Sequence, residues 1–231
     1  MIRRLKEIYN KLHILQNIYI KEKYFIDKKS YSMDGEDLEI IKHFEGITSG
    51  YYVDAGCYHP LHLSNTYLLY KKNWRGINID LSKFSIDLFN YMRPEDININ
   101  VAISSNDEEI NCYYQKDFSQ LTTTKKKQAE KYIQGIVKEK KIKSNKLTTI
   151  LNNTKYKNRK IDFLNIDLEG ADIDALKSLD FKIYRPKVIC IEIYDSIIED
   201  SEIYTFLIKL SYIKKWSGTI SHIFVDGLKT V

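Results

Sequence analysis

The chain has 231 residues, enough for one sizeable α/β core and an extension, and its 43% hydrophobic and 13% aromatic content excludes a disordered or fibrous protein. No apolar run is long enough to span a bilayer, and Arg3, Arg4, Lys6 and Lys11 break up the apolar centre that a secretory signal would need, so the chain is expected in the cytoplasm. A net charge of +5 is modest for a chain so rich in lysine, and three scattered cysteines, Cys57, Cys112 and Cys190, exclude a disulfide framework or zinc cluster.

In chain order, residues 1–46 read as a helical extension. Ile2, Leu5, Ile8, Leu12, Leu15 and Ile18 recur at spacings of three and four, which sets them along one stripe of a helix. That stripe must be buried, whether on the chain's own domain, in a homodimer, or at a membrane surface. Gly35 marks a loop, and a helical pattern resumes over Glu36–Phe44.

From residue 47 to 231, β-rich runs alternate with helical ones, the pattern of a mostly parallel sheet covered by helices. Tyr51–Asp54, Gly76–Asp80, Ile97–Ile103, Ile161–Asp167 and Val188–Tyr194 are the predicted parallel strands. Ser64–Lys72, Phe84–Tyr91, Ile173–Leu179 and Ile203–Leu210 are the predicted helices. Tyr212–Trp216 and Thr219–Val225, separated by Ser217 and Gly218, read as a terminal antiparallel hairpin. An insertion at about 109–160 is long enough to form a lid, with Asp117-Phe-Ser119-Gln-Leu-Thr as a candidate acceptor wall. Within it, Lys125–Lys146 holds nine lysines against Glu130 and Glu139. This reads as a solvated face, or as an attractor for a diphosphate-bearing substrate. Nucleic acid is not an expected partner, because the aromatic interleaving of single-strand binders is missing.

Three motifs carry candidate chemistry. The first strand ends in Asp54-Ala-Gly56, where a glycine lets the backbone turn sharply and approach a ligand. A single glycine does not meet the G-x-G-x-x-G dinucleotide fingerprint, which weighs against an NAD-dependent oxidoreductase. The second strand ends in Asp80, placed to accept bonds from ribose hydroxyls or to cap the following helix. Ile166-Asp167-Leu168-Glu169-Gly170-Ala171-Asp172 follows the fourth strand. Three acids in six residues repel one another unless they face a cation, a proton or separate environments, although helix capping is an alternative. A binding-only module of this fold would need no such acids.

These blocks, with Asp54-Ala-Gly-Cys-Tyr-His-Pro, Ser64-Asn65-Thr66-Tyr67 and Trp74-Arg-Gly76-Ile-Asn-Ile-Asp80 in order, resemble the FkbM family of S-adenosylmethionine-dependent methyltransferases. The resemblance implies a class I methyltransferase Rossmann-like fold: a seven-stranded, mostly parallel sheet with a C-terminal antiparallel hairpin. It also implies O-methylation, commonly of sugars or polysaccharide precursors and sometimes of other natural products. Carried over, Asp54 and Gly56 would line the methionine end of the cofactor, Asp80 with Leu81 the ribose, and Val101-Ala102 the adenine. His59, Ser64 and Asn65 follow the first loop, where polar groups would bind its carboxylate. Asp167 and Glu169 would face the transferred methyl or the acceptor. Two departures stand out: Asp80-Leu81 where members often have Glu-Pro, and Cys57-Tyr58 in place of Ala-Asn.

Methyl transfer needs the acceptor hydroxyl aligned and deprotonated. The candidate bases are Asp167, Glu169, His59 and His222. Glu192 could join Asp167 in holding a divalent cation, although a metal is not expected. The expected acceptor is a nucleotide-activated sugar for surface polysaccharide biosynthesis, which the lysine-rich insertion would suit.

Overall fold

The computed structural model describes residues 2–116, 119 and 121–229. It begins with helix α1 (Ile2–Leu15), a π-helical turn (Gln16–Lys21) and α2 (Glu36–Lys42). The main sheet takes its strands from β1 (Tyr51–Ala55), β2 (Arg75–Asp80) and β3 (Ile97–Asn100), with α3 (Tyr67–Lys71) and α4 (Lys83–Met92) as crossovers. After β4 (Ala102–Ile103), the insertion contributes β5 (Glu108–Tyr114), α5 (Lys126–Tyr132), β6 (Lys138–Asn145) and α6 (Leu147–Asn152). The remainder is β7 (Phe163–Ile166), α7 (Asp172–Ser178), α8 (Phe181–Tyr184), β8 (Val188–Glu192), α9 (Glu202–Lys209), β9 (Tyr212–Ser217) and β10 (Ser221–Asp226).

The order across the sheet is β3-β2-β1-β7-β8-β10-β9. Neighbours from β3 to β8 pair in parallel, and β10 pairs antiparallel with both β8 and β9. The fold is thus the expected Rossmann-like α/β sheet of seven strands. The terminal hairpin folds back so that the last strand lies inside, between β8 and β9.

Strand alternation divides the core into two layers. Tyr51, Val53 and Ala55 of β1, Leu164 and Ile166 of β7, Ile189 and Ile191 of β8, and Phe224 of β10 face the layer of α6, α7 and α9. On the opposite side Tyr52, Phe163, Cys190 and Ile223 face Ile40 and Phe44, with Trp74 among them. All three cysteines are buried and free.

Two expectations are corrected. The run Ile97–Ile103 is two strands rather than one: β3 ends at Asn100, the Val101 N–H donates to the Asp80 carbonyl, and Ala102 pairs with Ser144 in a separate sheet of order β4-β6-β5. A continuous apolar run cannot reveal where a strand changes sheets. Nor, apart from Ile18, is the predicted stripe of α1 packed on the chain's own domain. Leu5, Ile8, Leu12 and Leu15 are exposed, while Ile14, Asn17 and Ile18 are buried. His13 stacks on Phe84 with centroids 4.2 Å apart, and Asn10 donates to Asp87 at 3.0 Å. The π-helical turn at Gln16–Lys21 shifts the phase of the pattern, so Ile18 leaves the stripe that Leu5 begins. The lysine-rich segment, finally, is partly strand: β6 holds Lys138, Lys140, Lys141 and Lys143, all exposed.

Candidate functional site

Register places the chemistry. Ala55 lies opposite Ile79 on β2 and Ile166 on β7, and Ile166 lies opposite Ile191 on β8. The next residue on each strand is therefore Gly56, Asp80, Asp167 or Glu192, one row at the carboxyl edge, and Ser221 of β10 faces Glu192. All five line one cavity of about 290 Å³, with Asn65 and Leu81 on one wall. Ser119, Leu121, Thr122, Gln128 and Tyr132 close it from the insertion. The insertion is pinned there: Thr123 donates to the Glu169 carbonyl at 2.8 Å and Lys125 pairs with Asp174. Of the expected acceptor wall, Asp117, Phe118 and Gln120 lie outside the described residues.

Gly56 has φ +84°, and a methyl group there would stand 1.7 Å from the Asp167 carbonyl oxygen. Only glycine allows the loops after β1 and β7 to approach so closely. Asp80 accepts from the Tyr58 N–H at 2.9 Å and the Ser82 N–H at 2.7 Å. Asp80 also lines the cavity. Burial pushes its carboxyl up to about 6. A narrow annex of about 20 Å³ runs from Asp80 and Leu81 past Val101 and Ala102 to Thr124.

The acids beyond β7 and β8 are crowded. Asp167 is held well above the usual carboxylate range by burial and then by the neighbouring Glu192, Glu169 and Asp172, and it is hydrogen-bonded to Glu192. Burial lifts Glu169, Asp172 and Glu192 each to about 7. The Tyr194 hydroxyl donates to Glu192 at 2.6 Å and stands 3.3 Å from Glu169, which eases the negative charge on both. Asp172 clasps the loop rather than facing the cavity, accepting from the Leu168 N–H at 2.9 Å and the Gly170 N–H at 3.0 Å. Glu169 sits at φ +50° and Gly170 at φ +91°, a left-handed pair that turns the Glu169 side chain toward the cavity. Crowded carboxylates at this edge must share protons or meet a cation.

Other predicted residues lie elsewhere. Asp54 is buried away from the cavity, accepting from Thr66 Oγ1 at 2.6 Å and Asn165 Nδ2 at 2.9 Å. Ser64 accepts from the wholly buried Arg93 at 2.9 Å, and Arg93 also donates to Thr66 and the Pro60 carbonyl. Asp54 and Ser64 thus brace the loop that presents Asn65. His59 is buried, and its Nδ1 accepts from the Leu61 and His62 N–H groups, both at 3.0 Å. Burial pulls its imidazole down to about 3, and it does not line the cavity. His222 is buried one residue beyond Ser221, so strand alternation turns it away. Neither histidine is placed to take a proton from a bound acceptor.

Sequence reasoning missed Glu36 and Tyr194 in the cavity wall. Tyr194 follows Glu192 by two and had a signal in that spacing, but Glu36 comes from the extension and had none. Asp167 and Glu192, the pair suggested for a metal, are bonded to each other. Among the described residues no group of three His, Cys, Asp or Glu side chains is placed to hold a metal ion.

A seven-stranded sheet with its last strand reversed, a glycine turn after β1 and acids at the tips of β2, β7 and β8 define the Rossmann-like methyltransferase class. A family model described as the methyltransferase FkbM domain matches residues 54–214, well over half the chain. The protein belongs to the FkbM methyltransferase family. Comparison with curated proteins finds no match.

Proposed function

We propose that the protein is an S-adenosylmethionine-dependent O-methyltransferase acting on the hydroxyl of a nucleotide-activated sugar for surface polysaccharide synthesis. The observation that carries this reading is the row Gly56, Asp80, Asp167 and Glu192 along one cavity. The cofactor fits the donors present. Gly56 leaves room for close backbone approach, Asp80 retains acceptor capacity for two ribose hydroxyls, and the buried acids complement a ligand bearing cationic sulfur and ammonium groups. The annex beside Val101 and Ala102 is too small for a purine as it stands, so adenine binding requires Thr124 and the insertion to move outward.

S-adenosylmethionine, when bound, supplies an electrophilic methyl on a positively charged sulfur. The protein's tasks are to align the acceptor oxygen and remove its proton. Glu169 is the base in this reading: it reaches the cavity and holds its proton at about 7, a value suited to accepting one near neutrality. Asp167 and Glu192 share a proton beside it, and Tyr194 fixes Glu192. No lysine or arginine lines the cavity among the described residues. The sugar would therefore sit within it and the diphosphate outside, toward Lys126, Lys127 and Lys131 on the helix that carries Gln128 and Tyr132.

Calorimetry with S-adenosylhomocysteine and NAD, followed by labelled-methyl transfer to a panel of nucleotide sugars, tests the reading. Binding of the first ligand alone and one added methyl on a sugar are expected. Binding of NAD in place of S-adenosylhomocysteine would overturn it.

A further inference from the structure

The N-terminal segment presents an apolar face that nothing among the described residues covers. α1 docks through Asn10, His13, Ile14 and Ile18. On its other side Leu5, Ile8, Leu12 and Leu15 are 40–60% exposed, at spacings that align them in one ridge. Ile20 at the end of the π-helical turn and Phe25 beyond it are exposed by 69% and 73%. An uncovered ridge of this length is not a casual surface feature.

Charge indicates what covers it. Residues 1–29 hold eight lysines and arginines against three acids, a surplus of five that equals the net charge of the entire chain. The remaining residues are therefore balanced. Each of the three acids is engaged: Glu7 by Arg3, Glu22 by Lys28 and Asp27 by Lys71. Arg4, Lys6, Lys11, Lys21, Lys23 and Lys29 have no ion-pair partner among the described residues. A second copy laid on this face would bring the same surplus of positive charge against it, which disfavours self-association. An anionic surface of low curvature meets both demands, receiving the ridge and pairing with the cations.

We propose that residues 2–26 form a docking face for an anionic phospholipid bilayer, holding the methyltransferase on the membrane surface. The ridge enters the boundary between headgroups and acyl chains, and the lysines and arginines lie against lipid phosphates. No helix of the described residues is long and apolar enough to cross a membrane, so the attachment is peripheral and reversible. This inference stands apart from the choice of cofactor and acceptor, since none of its residues lines the cavity.

The test is co-sedimentation of the full chain with vesicles of one part phosphatidylglycerol to two parts phosphatidylcholine, against phosphatidylcholine alone. Binding at least roughly tenfold stronger on the anionic vesicles is expected, weakening as salt rises. The double substitution Leu5→Glu with Leu12→Glu should abolish it while thermal stability and ligand binding in the cavity stay unchanged, because both side chains are exposed. Equal binding to the two vesicle types, or anionic binding that survives the double substitution, would overturn the proposal. So would a homodimer in sedimentation equilibrium that the double substitution converts to monomer.

Discussion

Replacing Glu192 by glutamine should stabilise the ligand-free protein at alkaline pH. The cause is the crowding at the tips of β7 and β8: burial raises Glu192 from its ordinary 4.5 to about 7, with Asp167 bonded to it and Glu169 adding repulsion. A carboxyl raised in this way contributes stability that is fully present below its unfolded value and is lost as pH rises through about 7. At roughly 1.4 kcal/mol per pH unit, the interval corresponds to about 3 kcal/mol against the ionised fold, and proton sharing with Asp167 leaves about 1–3 kcal/mol. Glutamine keeps an acceptor for Tyr194 and carries no charge. At about 2–4 °C per kcal/mol for a chain of this size, the variant should melt about 2–12 °C above the parent at pH 8.5. The margin should shrink below pH 7 and vanish toward 4.5. Differential scanning calorimetry of both proteins across that range reads the effect, and the buried histidines cancel because both proteins contain them. An equal or lower melting temperature at pH 8.5, or a margin independent of pH, would refute the argument. Cofactor binding should weaken in the same variant, which would mark the charge as kept for function at a cost in stability.

Asp80→Ala should raise the dissociation constant for S-adenosylhomocysteine by at least roughly 10- to 150-fold, since even one of the two hydrogen bonds to a charged group contributes about 1.5–3 kcal/mol. Calorimetry measures it, and an unchanged affinity would exclude the ribose role. Arg93→Met should destabilise the protein by about 3–5 kcal/mol, because it leaves buried Asp54 without its nearby cation and strips partners from Ser64, Thr66 and the Pro60 carbonyl. Chemical denaturation checks this, and a loss below about 1 kcal/mol would show that the network is dispensable.

Much of this architecture was legible because strand composition and strand-end residues are local properties. Val53, Ile77, Ile79, Leu164, Ile166, Ile189 and Ile191 announce buried parallel strands, and each run ends where the sheet does. The acids of the site were visible for the same reason: Asp80, Asp167 and Glu192 stand one residue from an apolar run. What the chain order could not convey is which of several polar residues at such an edge points inward. Asp54 stands near the end of β1 as Asp80 ends β2, yet Asp54 lies two positions earlier in register, opposite Asn78, and there Thr66 and Asn165 bond it within the protein, with Arg93 nearby. His59 looks like a free base beside a glycine turn until two backbone N–H groups are seen to occupy its Nδ1. Arg93 and Glu36 carry no motif at all. The first becomes important only because the loop from Pro60 to Thr66 wraps it, and the second only because the extension folds back over the sheet.

The same register argument separates support from chemistry within the acid block. Asp167 continues β7 into the row with Gly56 and Asp80, and Glu169 leaves that row through a left-handed turn. Asp172 looks equivalent in sequence, but both of its oxygens are taken by the N–H groups of Leu168 and Gly170. Asp172 does not line the cavity, so it fixes the turn that aims Glu169 and leaves contact with a ligand to the acids that do. Three acids within six residues thus divide into one that is hydrogen-bonded to Glu192 of β8, one that lines the cavity where we propose the acceptor binds, and one that holds the loop.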